Sequence, residues 1–223
     1  MRERPVPAYV TYRLAYRGTG AHLACLDGKT VTSFDGGDGA GAYRVRFRSR
    51  DAAARNTDEA SGRACAGVPL LAPVGGDVAA ALEPGPALRG AANAPGRLPV
   101  IGDVTVRAAL HYRVTADGAP EPHGVVHLAL VARADPARYP LTDLWVDPAS
   151  FAITSAGATF ADSYGGEPAR IRAVATFAQA GGFRVTSAEH VEFAAAGARP
   201  VRAMLEAAAS DFAFPPDDPV PSP

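Results

Sequence analysis

The sequence predicts a mainly β protein: a single curved antiparallel sheet of about ten strands, an incomplete β-barrel, with a loop-rich or short-helix lid. Three observations predict it. Segments in which apolar and polar residues alternate recur along most of the chain, the pattern of strands with one buried and one wet face. Turn chemistry separates them, at Asp27-Gly28, Asp117-Gly118, Asp147-Pro148 and Gly181-Gly182. Helical periodicity is confined to short stretches, after Asp51 and at Asp77 to Leu82.

In chain order, Tyr9 to Arg17 alternates and places Val10, Tyr12, Leu14 and Tyr16 on one face. Ala21 to Leu26 and Lys29 to Phe34 flank Asp27-Gly28 and read as a hairpin. The glycine-rich loop Gly36 to Gly41 leads to Tyr43–Arg48, where Tyr43, Val45 and Phe47 alternate with three arginines. Ser49 to Ala66 is polar, and Gly67 to Pro99 is rich in Pro, Gly and Ala, so this is the expected irregular region.

The longest alternation runs from Val104 to Thr115, with Val104, Val106, Ala108, Leu110, Tyr112 and Val114 sharing a face. A second strand, Val125 to Arg133, follows. Leu141 to Pro148 then puts Trp145 opposite Leu144 and Val146, and another extended segment starts at Phe151. The closing strands are Ala169 to Gln179, Phe183 to Phe193 and Pro200 to Phe214. The composition of Val201 to Ala209 suits a helix, but its sequential antiparallel neighbours and the alternation through Phe212-Ala213-Phe214 favour a strand. Residues 1–214 therefore read as one β-domain, with 67–99 as a lid-like insertion. The segment 215–223 holds five prolines in nine residues and reads as a disordered tail.

Composition narrows the function classes. The 223 residues carry 22 basic and 23 acidic side chains, a net charge of -1, and a polyanion binder would show a basic excess, so no nucleic-acid partner is expected. No apolar run reaches the roughly 18 residues of a membrane-spanning helix. Met1-Arg2-Glu3-Arg4-Pro5 lacks the apolar stretch of a secretory leader. Two readings compete: a cytoplasmic protein, or a mature periplasmic or extracellular segment whose leader lies outside this chain. Cys25 and Cys65 either form one disulfide, which suits an oxidising compartment, or are two unrelated small core residues.

Motifs for chemistry are sparse. His123 and His127 are four apart on an extended segment, about 13 Å at ~3.3 Å per residue, too far to share a metal. No HExxH, paired-cysteine or EF-hand spacing appears, and no G-x-S-x-G elbow. The runs Gly36-Gly37-Asp38-Gly39 and Gly75-Gly76 lack a following Lys-Ser or Lys-Thr and read as loops. Arg44, Arg46, Arg48, Arg50 and Arg55 read as a solvated sheet face. Asp143, Glu189 and Glu192, on alternating strands, read the same way. No cofactor and no catalytic residue are assigned.

Three stretches carry a resemblance to a known family. Tyr9-Val10-Thr11-Tyr12-Arg13-Leu14 looks like a first strand of the periplasmic lipoprotein-carrier superfamily, which contains the LolA, LolB and LppX-like proteins. Leu144-Trp145-Val146-Asp147-Pro148 resembles that family's recurring strand and turn. The closing long strands, with aromatics at Phe212 and Phe214, also resemble it. The departures are an absent N-terminal helix, a less helical lid and no lipobox cysteine. The resemblance implies an incomplete barrel whose concave face holds acyl chains.

The resulting expectation is a non-catalytic β-domain that binds or carries a lipid, lipoprotein acyl chain or other apolar ligand in an exported setting. Tyr12, Leu14, Tyr43, Phe47, Leu110, Tyr112, Leu128 and Phe177 would form the wall, and 67–99 the lid. Envelope proteins are the expected macromolecular partners. The competing expectation is an interaction or scaffold β-domain of the cell envelope with a filled core. A third is a hydrolase using His111 or His127.

Overall fold

The computed structural model describes residues 9–20, 30–37, 43–49, 78, 82, 109–117, 124–164, 167–195 and 201–215. Ten strands follow one another: β1 (Tyr9–Thr19), β2 (Thr30–Gly37), β3 (Tyr43–Ser49), β4 (Tyr112–Ala116), β5 (Val126–Ala132), β6 (Leu141–Asp147), β7 (Ala152–Tyr164), β8 (Glu167–Ala180), β9 (Phe183–Ala195) and β10 (Val201–Ala213). They form one sheet in the order β3-β2-β1-β10-β9-β8-β7-β6-β5-β4. Every adjacent pair is antiparallel. Chain neighbours pair throughout except β3 and β4, and β10 returns to lie beside β1. The end strands β3 and β4 do not pair with each other, so the sheet is open, not a closed barrel.

The four strands β7 to β10 have 13 or 14 residues each, and their alternation sets which face is buried. Along β8, Ala169, Ala173, Ala175 and Phe177 point into the core, and β10 contributes Ala203, Leu205 and Ala207. With Leu141, Leu144 and Val146 of β6 and Ile153, Ala156 and Ala158 of β7, these belong to one hydrophobic cluster. Val78 and Leu82, both helical and both buried, belong to it as well. They come from the connection between β3 and β4, which joins the two edges of the open sheet. Both fall within the short helix predicted at Asp77 to Leu82, whose other residues lie outside the described ones.

Local chemistry closes the turns. Gly181 and Gly182 have φ of 54° and 82° and link Ala180 to its partner Phe183. Positive φ at both positions is what a two-residue type I′ hairpin needs. After β6, the Asp147 carboxylate accepts the Ala149 N–H at 2.8 Å and the Ser150 hydroxyl at 2.7 Å, and the chain enters β7 through Phe151 at φ 53°.

Two expectations are corrected. The strand predicted from Val104 to Thr115 begins only at Tyr112, and Ala109 to His111 are helical. Ala and Leu favour helix over strand, and the pairing with β5 starts at Tyr112 opposite Ala132. The predicted Asp27-Gly28 hairpin is also not the pairing of β2, because β1 and β3 occupy both its edges. The ambiguous segment from Val201 is a strand, as its alternation predicts. Residues 216–223, Cys25 and Cys65, and all of 67–99 apart from Val78 and Leu82, lie outside the described residues.

Candidate functional site: the apolar face and its buried carboxylate

The register lines up side chains in rows across the strands. One row reads Leu128, Leu144, Ala156, Ala175, Glu189, Ala207, Tyr16, each opposite the next. The neighbouring row reads Leu141, Ala158, Ala173, Val191, Leu205, Gly18. Alanines recur in both rows, at Ala156, Ala158, Ala173, Ala175 and Ala207, beside the larger Leu141, Leu144, Val191 and Leu205. Small residues at the centre of a sheet face leave volume that some other group must fill, since interiors are close-packed.

Glu189 stands inside this face at 3% exposure, between Ala175 and Ala207. The reading of Glu189 as part of a solvated face is therefore wrong, although Glu192 on the same strand is exposed as expected. The signal was in the alternation: Glu189 has the same parity as Val191, Phe193 and Ala195, all buried. One strand beyond Ala207, Tyr16 is equally buried. Its Oη makes no hydrogen bond among the described residues. Burial chiefly, and the nearby Glu189 charge secondarily, push its ionisation above the ordinary phenol value.

The predicted wall residues meet different fates. Tyr12, Tyr112 and Phe177 are buried in the cluster, at 6%, 2% and 8% exposure, and Leu128 packs against it. Tyr12 stacks on Phe212 with ring centroids 5.5 Å apart. The Tyr112 Oη accepts the Leu141 N–H at 3.3 Å. Its ionisation is pushed up to about 12, mainly by burial, with that hydrogen bond acting in the opposite direction. Leu14 lies in β1 between Ala209 and Val31. Tyr43 and Phe47 lie in the edge strand β3, opposite Gly37 and Ser33. Leu110 does not belong to the wall: it sits in the helical turn before β4 and is 72% exposed. A helical turn breaks the period-two alternation that placed it with Tyr112.

A second constellation occupies the opposite face of β5 and β6. His127 Nε2 lies 2.9 Å from Asp143 Oδ1, and Nδ1 lies 3.6 Å from Asp117 Oδ2. The ring stacks on Trp145 at 4.9 Å. The Thr142 hydroxyl donates to Asp143 Oδ2 at 2.7 Å, and Arg172 Nη2 approaches the same oxygen at 3.6 Å. Thr142 is the extra residue of a β-bulge, since Leu141 and Asp143 oppose the consecutive Ala158 and Gly157. Gly157 makes room for Asp143: a Cβ there would lie 2.9 Å from Oδ2 and 3.1 Å from the Asp143 Cβ. The two carboxylates meet opposite nitrogens of the ring, so they do not converge with it on one ion. Both nitrogens face carboxylates, whereas a His base in nucleophilic catalysis needs one facing the nucleophile. His111, the other predicted hydrolase candidate, stacks on Tyr139 at 4.2 Å.

No protein-family model matches this chain, and no curated protein matches it. Among solved structures, a chain of the Pseudomonas aeruginosa MucA/MucB complex is similar at 11% identity, over 91% of this chain and 88% of that one, with a TM-score of 0.22. A score that low carries no argument about fold or function. Among the described residues, no helix is long and apolar enough to cross a membrane.

Proposed function

We propose that this protein is a non-catalytic binder of an apolar ligand, a lipid or an acyl chain, held against the apolar face of the open sheet whose cluster Val78 and Leu82 join. The observation that carries this reading is the apolar, alanine-rich face of an unclosed sheet, whose cluster also takes in Val78 and Leu82. Transfer of acyl methylenes into such a face contributes up to about 0.8 kcal/mol each, so affinity requires no elaborate motif. The resemblance of the first strand and of the Leu144–Pro148 run to lipoprotein carriers supports an exported setting, periplasmic or extracellular, with cell-envelope proteins as partners.

The competing reading is a scaffold or interaction domain with a filled core. Its specific support is the low exposure of the wall, with Val78 and Leu82 already seated in it. Native mass spectrometry of the protein as purified, followed by organic extraction, separates the two, with Nile red titration as a neutral apolar probe. A stoichiometric lipid adduct or saturable dye uptake is expected. A clean apo mass together with no saturable uptake overturns the ligand reading in favour of the scaffold.

A further inference from the structure

The strand β4 is one edge of the sheet, and its ladder with β5 fixes which backbone groups face outward. Tyr112 stands opposite Ala132 and Ala116 opposite Leu128, with no shift of register between them. The same register continues at both ends, where the Arg133 N–H donates to the His111 carbonyl at 2.8 Å and the Asp117 N–H to the His127 carbonyl at 3.0 Å. Bonded and non-bonded positions alternate in an antiparallel pair, so His111, Arg113, Thr115 and Asp117 turn their N–H and C=O groups toward β5. Tyr112, Val114 and Ala116 turn theirs to the open edge, beyond which no described strand lies. The Tyr112 carbonyl accepts Arg133 Nε at 3.0 Å and offers a second lone pair. Two exposed large hydrophobic residues lie beside this edge: Leu110, at 72%, just before β4, and Val131, at 61%, opposite Arg113.

We propose that β4 is the interface through which two copies of this chain join their sheets, antiparallel about a two-fold axis at Val114. The residue pattern is self-complementary in that register. On the face of the core cluster, Val114 meets the partner's Val114, and Tyr112 meets the partner's Ala116, a large side chain beside a small one. On the other face, Arg113 stands opposite the partner's Thr115 and diagonal to the partner's Asp117, a position whose side chain is 81% exposed. His111 stands opposite that same Asp117 of the partner subunit. The two-fold axis repeats each pair, so the basic start of β4 meets its acidic end twice, and about six backbone hydrogen bonds form. The other edge lacks this match. In β3, Arg44, Arg46 and Arg48 occupy alternate positions, so self-pairing about Val45, Arg46 or Phe47 sets arginine opposite arginine, and like charges of this kind protect an edge. Pairing through β4 alone closes as a dimer and does not propagate.

Sedimentation equilibrium of the full chain tests this, at about 5 to 200 μM and low salt, where charge pairs are least screened. Wild type is expected to show a monomer–dimer equilibrium within that range. Thr115→Arg, at an exposed position, sets a guanidinium opposite the partner's Arg113 and is expected to weaken dimerisation about 10-fold. Adding Arg113→Glu restores opposite charges across the two-fold axis and is expected to bring the affinity back to within about 3-fold of wild type. A role of either residue in folding alone would not give that recovery. Val114→Pro removes an outward N–H that β5 does not use and is expected to leave a monomer. Circular dichroism reports whether each variant folds, and the charge exchange decides the matter if the proline variant does not. A wild type that stays monomeric at the highest concentration, or a dimer that Thr115→Arg leaves unchanged, overturns the β4 interface. So does assembly beyond the dimer, or a folded double variant without recovery. The apolar-ligand reading stands or falls separately.

Discussion

His127 Nε2 and Asp143 Oδ1 are 2.9 Å apart, joining β5 to β6 across the face opposite the core. Both side chains are mostly buried, at 17% and 15% exposure, so solvent screens the pair less than a surface ion pair. The cluster reads as a clasp near one edge of the open sheet, where β4 and β5 lack the long pairings of the centre. Trp145 covers the ring, Thr142 and Arg172 hold the far carboxylate oxygen, and the bulge at Thr142 together with the bare Gly157 sets the geometry.

A double-mutant cycle measures that clasp. His127→Ala and Asp143→Ala are each expected to cost about 1–2 kcal/mol in urea unfolding, with a coupling of about 1 kcal/mol between them. A coupling near zero means that the contact contributes nothing in solution.

The β8–β9 turn gives a contrast between adjacent glycines. At Gly181, φ is 54° and a Cβ would lie 2.5 Å from the Phe214 ring, whereas at Gly182, φ is 82° and nothing stands within 4 Å. Gly181→Ala is expected to destabilise by about 1–3 kcal/mol, because strain and overpacking add. Gly182→Asn is expected to stay within about 1 kcal/mol of wild type, since Asn tolerates left-handed backbone. Thermal melts of the two variants read the difference, and equal losses refute the assigned Phe214 contact.

The sheet was legible because alternation is written directly in the residues: β1, β3 and β5 to β10 begin and end within a few positions of the segments read from period two. Alternation failed at Ala109-Leu110, where the same spacing also fits a helical turn and no β-branched residue opposes it. Pairing across long sequence gaps was not legible: nothing local in Thr30–Gly37 says that β1 and β3 flank it. Tyr12, Tyr112 and Phe177 were found because aromatic residues in strand parity seek a core. Glu189 was missed because its charge outweighed its parity, although that parity matches Val191 and Phe193. The His127 clasp required the register of β5 against β6, which decides which charges meet.

Asp147 gives a pH signature. The Ser150 hydroxyl first, and the Ala149 N–H second, hold its carboxyl below the ordinary 3.8. A group depressed in the folded state contributes stability above its unfolded value and loses it as pH falls through the folded value. The stability gap between wild type and Asp147→Ala is therefore expected to narrow as pH drops from about 5 to about 2. A gap constant over that range, or a carboxyl titration by NMR at or above 3.8, contradicts the assigned turn.

Leu82 tests how the apolar face is covered. It is 3% exposed and, with Val78 at 0%, packs among the sheet residues of the core cluster. Leu82→Ala is expected to cost about 2–5 kcal/mol if the covering residues are as well packed as a domain interior. The ligand reading adds a second expectation, because a loosened cover admits an apolar molecule more readily: Nile red uptake by the folded variant should rise or at least persist. A filled scaffold core instead gives the stability loss with no saturable uptake in either protein. A loss below about 0.5 kcal/mol means that Leu82 does not rest on the sheet in solution. Unfolding and dye titration on the same two samples therefore decide whether Leu82 belongs to a filled core or to a cover that an apolar ligand displaces.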